Sequence, residues 1–393
     1  MAMTTIITFC SLLLIAYLFD LTSSKTRIPS VILLLLLGWV VRQIADFMDF
    51  RLAYFSSILP IFGTIGLILI VLEGALELEL NKTKTGLIKN SLAGAFISMI
   101  LSAFVFAWLF QYYGQYSFKD SLINAVPLSI ISSAIAIPSV RNLALPHREF
   151  VIYESSLSDI LGVLFFNFIT LHETFNISSF GHFGFQIIVI SVVSFIATIG
   201  LSLLLSRIEH HIKYIPIILL IILFYAVSKV YHLPGLIFIL MFGLFIGNFD
   251  ELKHLKWTQR FRPVELNKEV QKFKELTIEG AFLVRSLFFI LFGFLLETSE
   301  IINTETLVWS VSIVIIIYVF RAIQLKLSKL PINPLLFVAP RGLITILLFL
   351  SIEPIHQIPL VNRSLIVQVI LLSSVMMIIG LVLSRKNDIN KQI

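Results

Sequence analysis

The chain has 393 residues, 58% of them hydrophobic and 13% charged, with a mean hydropathy of +0.98. Charged residues supply about a quarter of an ordinary soluble domain. A soluble core of this length could not hide so much apolar surface, so lipid is the expected solvent. The net charge of +6 suits a nucleic-acid binder in principle, but its placement between apolar runs excludes that reading and leaves anionic lipid as the counterpart. The single Cys10 rules out an internal disulfide.

Apolar runs of spanning length fall near 4–21, 28–45, 58–77, 88–110, 121–140, 149–171, 183–206, 212–230, 233–248, 279–297, 304–325, 334–353 and 364–384. They predict an all-α integral membrane protein of about 13 transmembrane helices, a single membrane domain over residues 1–393. The first run lacks a basic leader and a small-residue cleavage site, so it reads as a retained span rather than a signal peptide. The longest polar stretch, 249–278, is expected to be a cytoplasmic amphipathic linker helix. Lys and Arg alternate strongly between the two sets of loops. One set holds twenty-one, from Lys25 and Arg27 through the stretch Lys253 to Lys274 to the C-terminal Lys391. The other holds five, namely Arg42, Arg51, Lys119, Lys229 and Arg363. Basic loops stay inside, which puts the N-terminus outside and the C-terminus in the cytoplasm of a multi-pass cell-membrane protein.

Span 2 opens Ile28-Pro29-Ser30 with Gly38 nine residues after its proline, and span 9 opens Leu233-Pro234-Gly235 with Gly243 at the same distance. The next spans also compare, Leu72-Glu73-Gly74-Ala75-Leu76 against Leu291-Phe292-Gly293-Phe294-Leu295. Spans 1–6 therefore read as repeated in 8–13. The offset of seven spans is odd, so the second copy is inverted, a pattern of secondary transporters with paired interrupted helices. The interrupted pair falls at span 5, with Pro127, Ser132, Ser133 and Pro138, and span 12, with Pro334 and Pro340-Arg341-Gly342.

Asp159 lies about ten residues into span 6, roughly 15 Å deep. A carboxylate there is costly and marks function. Burial disfavours the bare charge, so the group takes up either a proton or a dehydrated cation. Competition for one carboxylate is all that coupled exchange requires. Ser155 and Ser156 share its helix face and Ser158 precedes it, offering hydroxyls in place of hydration water. Glu154 points elsewhere, about 140° around the helix. It lies at the depth of Arg321 in span 11, which makes a structural ion pair. Arg341 begins the break of span 12, where exposed half-helix carbonyls welcome a cation. Glu73, near the inner end of span 3, could line a cytoplasmic funnel. The histidines offer no third ligand at metal spacing, so no metal site is expected.

Glu154-Ser155-Ser156-Leu157-Ser158-Asp159 resembles the Glu-Ser-Leu-x-Asn-Asp motif of the monovalent cation/proton antiporter superfamily, in its sodium/proton-exchanger-like branch. Phe288 to Gly293, Arg321 and Pro340-Arg341-Gly342 resemble the matching segments of its tenth, eleventh and twelfth spans. The resemblance implies thirteen spans, two crossed broken helices, a homodimer and elevator-like alternating access. It also implies a division of labour: spans 4–6 and 11–13 form the ion-binding core, and spans 1–3 and 8–10 the scaffold and dimer side. In this chain Ser158 replaces the motif Asn, and Ser132-Ser133 stands where the family has Thr-Asp. The expected cation- and proton-binding set is Asp159, Ser155, Ser158, Ser132, Ser133 and Glu73. With Asp159 as the one midplane acid, exchange of Na⁺, K⁺ or Li⁺ for H⁺ is expected to be electroneutral and to need no cofactor. The other reading is a channel-like or sensor protein on the same scaffold. No nucleophile–base or metal constellation supports an enzyme.

Overall fold

The computed structural model describes residues 2–26, 28–47, 55–80, 84–140, 143–171, 177–208, 210, 212–231, 233–252 and 263–390. Helix accounts for nearly all of them, and no strand occurs among the described residues. In lipid every backbone polar group must be satisfied internally, which apolar helices achieve within one segment. In order the long helices are α1 (Ala2–Thr26), α2 (Ser30–Phe47), α3 (Phe55–Glu77) and α4 (Thr85–Gly114). Two short ones follow, α5 (Phe118–Ser129) and α6 (Ser133–Ser139), then α7 (Leu145–Leu171), α8 (Ile177–Arg207), α9 (Tyr214–Val230) and α10 (Leu236–Gly247). The remainder are α11 (Phe249–Leu252), α12 (Pro263–Phe294), α13 (Thr298–Ile301), α14 (Thr304–Leu327), α15 (Leu343–Leu350) and α16 (Arg363–Asn390). Ten helices, counting Phe118–Ser139 as one, are long and apolar enough to cross a membrane; α9 and α10 are apolar but shorter. The chain is a multi-pass membrane protein.

Two places depart from simple apolar runs. The run at 334–353 is not one helix: a 3₁₀ turn at Leu335–Phe337 gives way to non-helical chain, and α15 starts at Leu343. In the stretch 249–278, α11 covers Phe249–Leu252. Residues 253–262 lie outside the described residues, and 263–278 form the first half of the 32-residue α12. No proline or glycine falls between Val264 and Glu279 to stop helix growth, so the polar half propagates into the apolar one.

The chain divides into two compact units, residues 1–64, 90–162 and 283–393, and residues 65–89 and 163–282. Glycines allow close helix approach in each. In the first, a Cβ on Gly38 would lie 2.1 Å from the Ile290 carbonyl oxygen, and one on Gly293 would lie 2.2 Å from the Leu35 oxygen. The backbones of α2 and α12 thus touch where neither carries a side chain. In the second, Gly243 of α10 meets Ala75 and Leu72 of α3, and Gly247 meets Leu76.

Candidate functional site

Span 5 breaks between α5 and α6, where Ile130 and Ser132 are extended. Pro127 and Pro138 each remove a backbone donor on either side of the break. Inside a membrane the backbone groups of a break need partners, and three N–H groups here have them. The Ile131 N–H donates to Ser158 Oγ at 3.0 Å, the Ser132 N–H to the Pro340 oxygen at 2.9 Å and the Ser133 N–H to Asp159 Oδ2 at 3.2 Å. The Ser133 hydroxyl donates to the same Asp159 oxygen. Two of the three partners come from α7 and the third from the break of span 12, so the two interruptions are joined directly.

Arg341 closes the other side. Its guanidinium donates to the carbonyls of Leu128 at 2.7 Å, Ser129 at 3.2 Å and Ala339 at 3.0 Å, and it is 1% exposed. Leu128 and Ser129 end α5, where unpaired carbonyls carry the negative end of the helix dipole. The arginine of one broken span therefore neutralises the C-terminus of the other, in addition to its own Ala339. Its backbone N–H donates to Ser373 Oγ at 3.1 Å, and the Gly342 N–H to Thr345 Oγ1 at 3.3 Å. A Cβ on Gly342 would lie 2.7 Å from the Ser132 hydroxyl, so glycine there admits the close approach.

Asp159 lies near the middle of α7 and is 2% exposed. Its Oδ2 is held by Ser133 from the N-terminus of α6, an end whose free N–H groups favour an anion. Its Oδ1 has no partner among the described residues. The break itself carries Ser132 and Ser133 and no acid, and the carboxylate of Asp159 faces the end of α6.

Glu154 and Arg321 meet: Arg321 Nη1 donates to Glu154 Oε1, and both side chains are 1% exposed. Arg321 also donates to Gln324 Oε1 at 3.1 Å and to the Leu335 oxygen at 3.2 Å, and it stands over the Phe150 ring. Gly94 of α4 makes room, since a Cβ there would lie 2.8 Å from Glu154 Oε1 and 2.5 Å from Gln324 Nε2. Gln324 sits one turn after Arg321 on the same helix face, a spacing from which sequence reasoning could have found it. Gly94 gives no such signal.

The serines separate by what their hydroxyls do. Ser133 donates to Asp159, Ser158 accepts from Ile131, and Ser155 turns back to its own helix, donating to the Val151 oxygen at 2.7 Å. Ser132 and Ser156 are buried, and their hydroxyls have no partner among the described residues. Glu73 belongs to the second unit, half-buried on α3. His210 is described but His211 lies outside the described residues.

The fold that holds these residues has solved counterparts. The sodium proton antiporter MjNhaP1 from Methanocaldococcus jannaschii at pH 8 superimposes with a TM-score of 0.68 at 18% identity, over 97% of this chain and 96% of that one. A second structure of the same antiporter, an electron-microscopy map, gives a TM-score of 0.64 at 18% identity over 98% and 95%. At that identity the likeness shows the fold. No curated protein matches the sequence. The model of the transmembrane sodium/hydrogen exchanger family matches residues 10–385, nearly the whole chain, and the protein belongs to that family of transporters.

Proposed function

We propose that the protein exchanges a monovalent cation, Na⁺ before K⁺ or Li⁺, for H⁺ by alternating access, with Asp159 as the one coupling group. The observation that carries this reading is the state of the Asp159 carboxylate. It is buried at the middle of a spanning helix, one oxygen is tied to Ser133, and the other has no partner among the described residues. The tie fixes the carboxylate in place, and the unpartnered oxygen is where a proton or a cation would bind. Neither ion leaves a bare charge in the apolar interior, and a site that must hold one or the other is a coupled exchanger.

The other groups serve this carboxylate. Arg341 supplies fixed positive charge to the carbonyl end of α5, and Asp159 itself faces the N-terminal end of α6. Glu154 and Arg321 form a structural pair that ties α7 to α14. Basic loops favour a C-terminus in the cytoplasm and a cell-membrane location, and the family likeness favours a homodimer.

The test is flux in proteoliposomes containing a pH-sensitive dye. The parent protein is expected to move protons only when a cation gradient opposes them, and Asp159→Asn to abolish that movement while the purified protein keeps its fold. Exchange at the parent rate in Asp159→Asn would remove Asp159 from the coupling role. Ionic current without obligatory exchange would instead favour a channel.

A further inference from the structure

We infer that Asp120, Asn124 and His356 are positioning residues of the exchange site: they pin the far ends of the two interrupted spans together, and the imidazole makes that pin answer to protons on the outer side. This rests on the reading of Asp159 as the exchange site and on the orientation that the basic loops favour.

The half-helices α5 and α15 pack along each other. At the breaks they are joined by Arg341, which donates to Leu128 and Ser129, and by the Ser132 N–H, which donates to Pro340. At the far end the 3₁₀ turn Pro354–His356 follows α15 and meets the start of α5. There His356 Nδ1 lies 2.7 Å from Asp120 Oδ1, and Asn124 Nδ2 donates to the His356 oxygen at 2.7 Å. Eight residues, about 12 Å of helix, separate Asp120 from Leu128. Thus α5 is held to the same partner segment at both ends. Its last turn leads through Ile130 to Ser133, the anchor of Asp159.

Each member of the pin is itself fixed. Asn124 is 0% exposed, and its amide also donates to the Asp120 oxygen at 2.8 Å. The second carboxylate oxygen of Asp120 accepts from Ser117 Oγ at 2.6 Å, and Ser117 Oγ accepts from the Asp120 N–H at 3.0 Å as the cap of α5. The His356 N–H donates to the Glu353 oxygen at 2.8 Å. The imidazole and the carboxylate are 25% and 28% exposed. A pair so placed is screened less than a fully exposed one, yet still trades protons with water. Under the favoured orientation that water is on the outer side, because the start of α5 and the end of span 12 lie away from the basic loops.

Histidine is the side chain whose charge changes between about pH 5 and 8. Charged, His356 gives Asp120 an ion pair; neutral, it gives a hydrogen bond alone. The pin is therefore strongest in acid and weakens as the outer pH rises through that range. Among the described residues Asp120 is the charged group in contact with the imidazole. On α5, half-buried Lys119 stands next to Asp120, and exposed Glu353 belongs to the turn of His356 itself. Arg363, at the start of α16, faces Glu300 at 3.7 Å.

The experiment follows isotopic Na⁺ exchange at equal Na⁺ on both sides of membrane vesicles of known orientation. The vesicles carry the full-length parent, His356→Gln, Asp120→Asn, the two changes together, His356→Lys or Asp159→Asn. The pH is moved from about 5.5 to about 8.5 on one side at a time, across the histidine range. Glutamine stands in for neutral imidazole, so the ratio of parent to His356→Gln rates cancels the titration of Asp159, which both share. That ratio is expected to be about threefold with the outer side acid, the scale of a partly exposed ion pair, and to approach one as it becomes alkaline. Asp120→Asn should lose the same factor, and the double variant no more, because either change breaks the one pair. His356→Lys, charged throughout, should keep the acid-side rate when the outer side is alkaline. A ratio that stays at one, or that responds to the inner pH alone, overturns the inference. A loss that is constant with pH also overturns it, and assigns these residues to structure. Na⁺ exchange by Asp159→Asn would reject the underlying site, an outcome on which the pH response of the ratio does not depend.

Discussion

Glu154 and Arg321 are held 1% exposed in the same interior as Asp159, yet their chemistry differs because each charge has its complement in contact. Two paired ions in a low dielectric need no exchange with water, whereas the second oxygen of Asp159 has nothing set against it. Removing one member of a buried pair leaves an uncompensated charge, at a cost of about 3–5 kcal/mol. Glu154→Gln is therefore expected to lower the melting temperature of the purified protein markedly. Glu154→Gln with Arg321→Gln should recover part of that loss; a double mutant whose losses simply add would show that the two side chains act independently. The sequence identified these ions because charged residues stand out in apolar spans, and matching depth suggested their pairing. It could not sort the serines. Ser155, Ser156 and Ser158 differ in which way each hydroxyl turns, and that depends on the Ile131 N–H arriving from a distant break. The reach of Arg341 was hidden for the same reason, since two of its three acceptors end a helix more than two hundred residues earlier.

At the scale of elements, close helix approach is set by glycine. Under the internal repeat, span 2 corresponds to span 9 and span 3 to span 10. Gly38 of span 2 packs on span 10, and Gly243 of span 9 packs on span 3, so the two contacts are counterparts, each within its own unit. The repeat was legible as proline-to-glycine spacing, but the partner of each glycine was not, because a missing side chain leaves no signature of what lies against it. Gly38→Ala and Gly293→Ala would each force a Cβ to within about 2 Å of a backbone oxygen, at 2.1 Å and 2.2 Å respectively. A backbone atom cannot swing aside as a side chain does, so the helices must separate, and each change is expected to cost about 1–3 kcal/mol or more. Gly280→Ala supplies the contrast, with its nearest neighbour at 3.8 Å. It should be neutral or stabilising by up to about 1 kcal/mol, because alanine favours the interior of α12. Thermal unfolding of the three purified variants checks the difference, and equal melting temperatures would show that the α2–α12 contact is not tight. The polar stretch was expected to be helical, but its continuity with the next span, as α12, was not legible. The first half of α12, with Lys268, Glu269, Lys272 and Glu275, consists of good helix formers, and Lys213 pairs with Glu269 at 2.5 Å.

At the scale of the whole molecule, apolar runs made the membrane legible before any contact was known, because spanning length is dictated by the bilayer and not by tertiary detail. The interruptions were legible too, in the prolines of span 5 and in Pro340-Arg341-Gly342 of span 12, but how the two breaks join was not. What the transporter does with the membrane potential follows from counting charges that move. Arg341 answers the carbonyl end of α5, Glu154 and Arg321 answer each other, and the break of span 5 carries Ser132 and Ser133 with no acid. If Asp159 alone alternates between ions, one proton leaves as one monovalent cation enters, and the cycle carries no net charge. A membrane potential acts at about 2.3 kcal/mol per elementary charge per 100 mV, so a neutral cycle is indifferent to it. A site that moved two protons per cation would be driven by it. The measurement is Na⁺/H⁺ exchange in proteoliposomes with the potential clamped by a potassium-selective ionophore at several values. The reversal point is expected to follow the sodium and proton gradients alone. A reversal point that shifts with voltage would reveal a second moving charge. Glu73 on α3 would be the first residue to replace, because it is the other acid of the expected binding set, and the voltage dependence would then have to vanish in Glu73→Gln while exchange persisted.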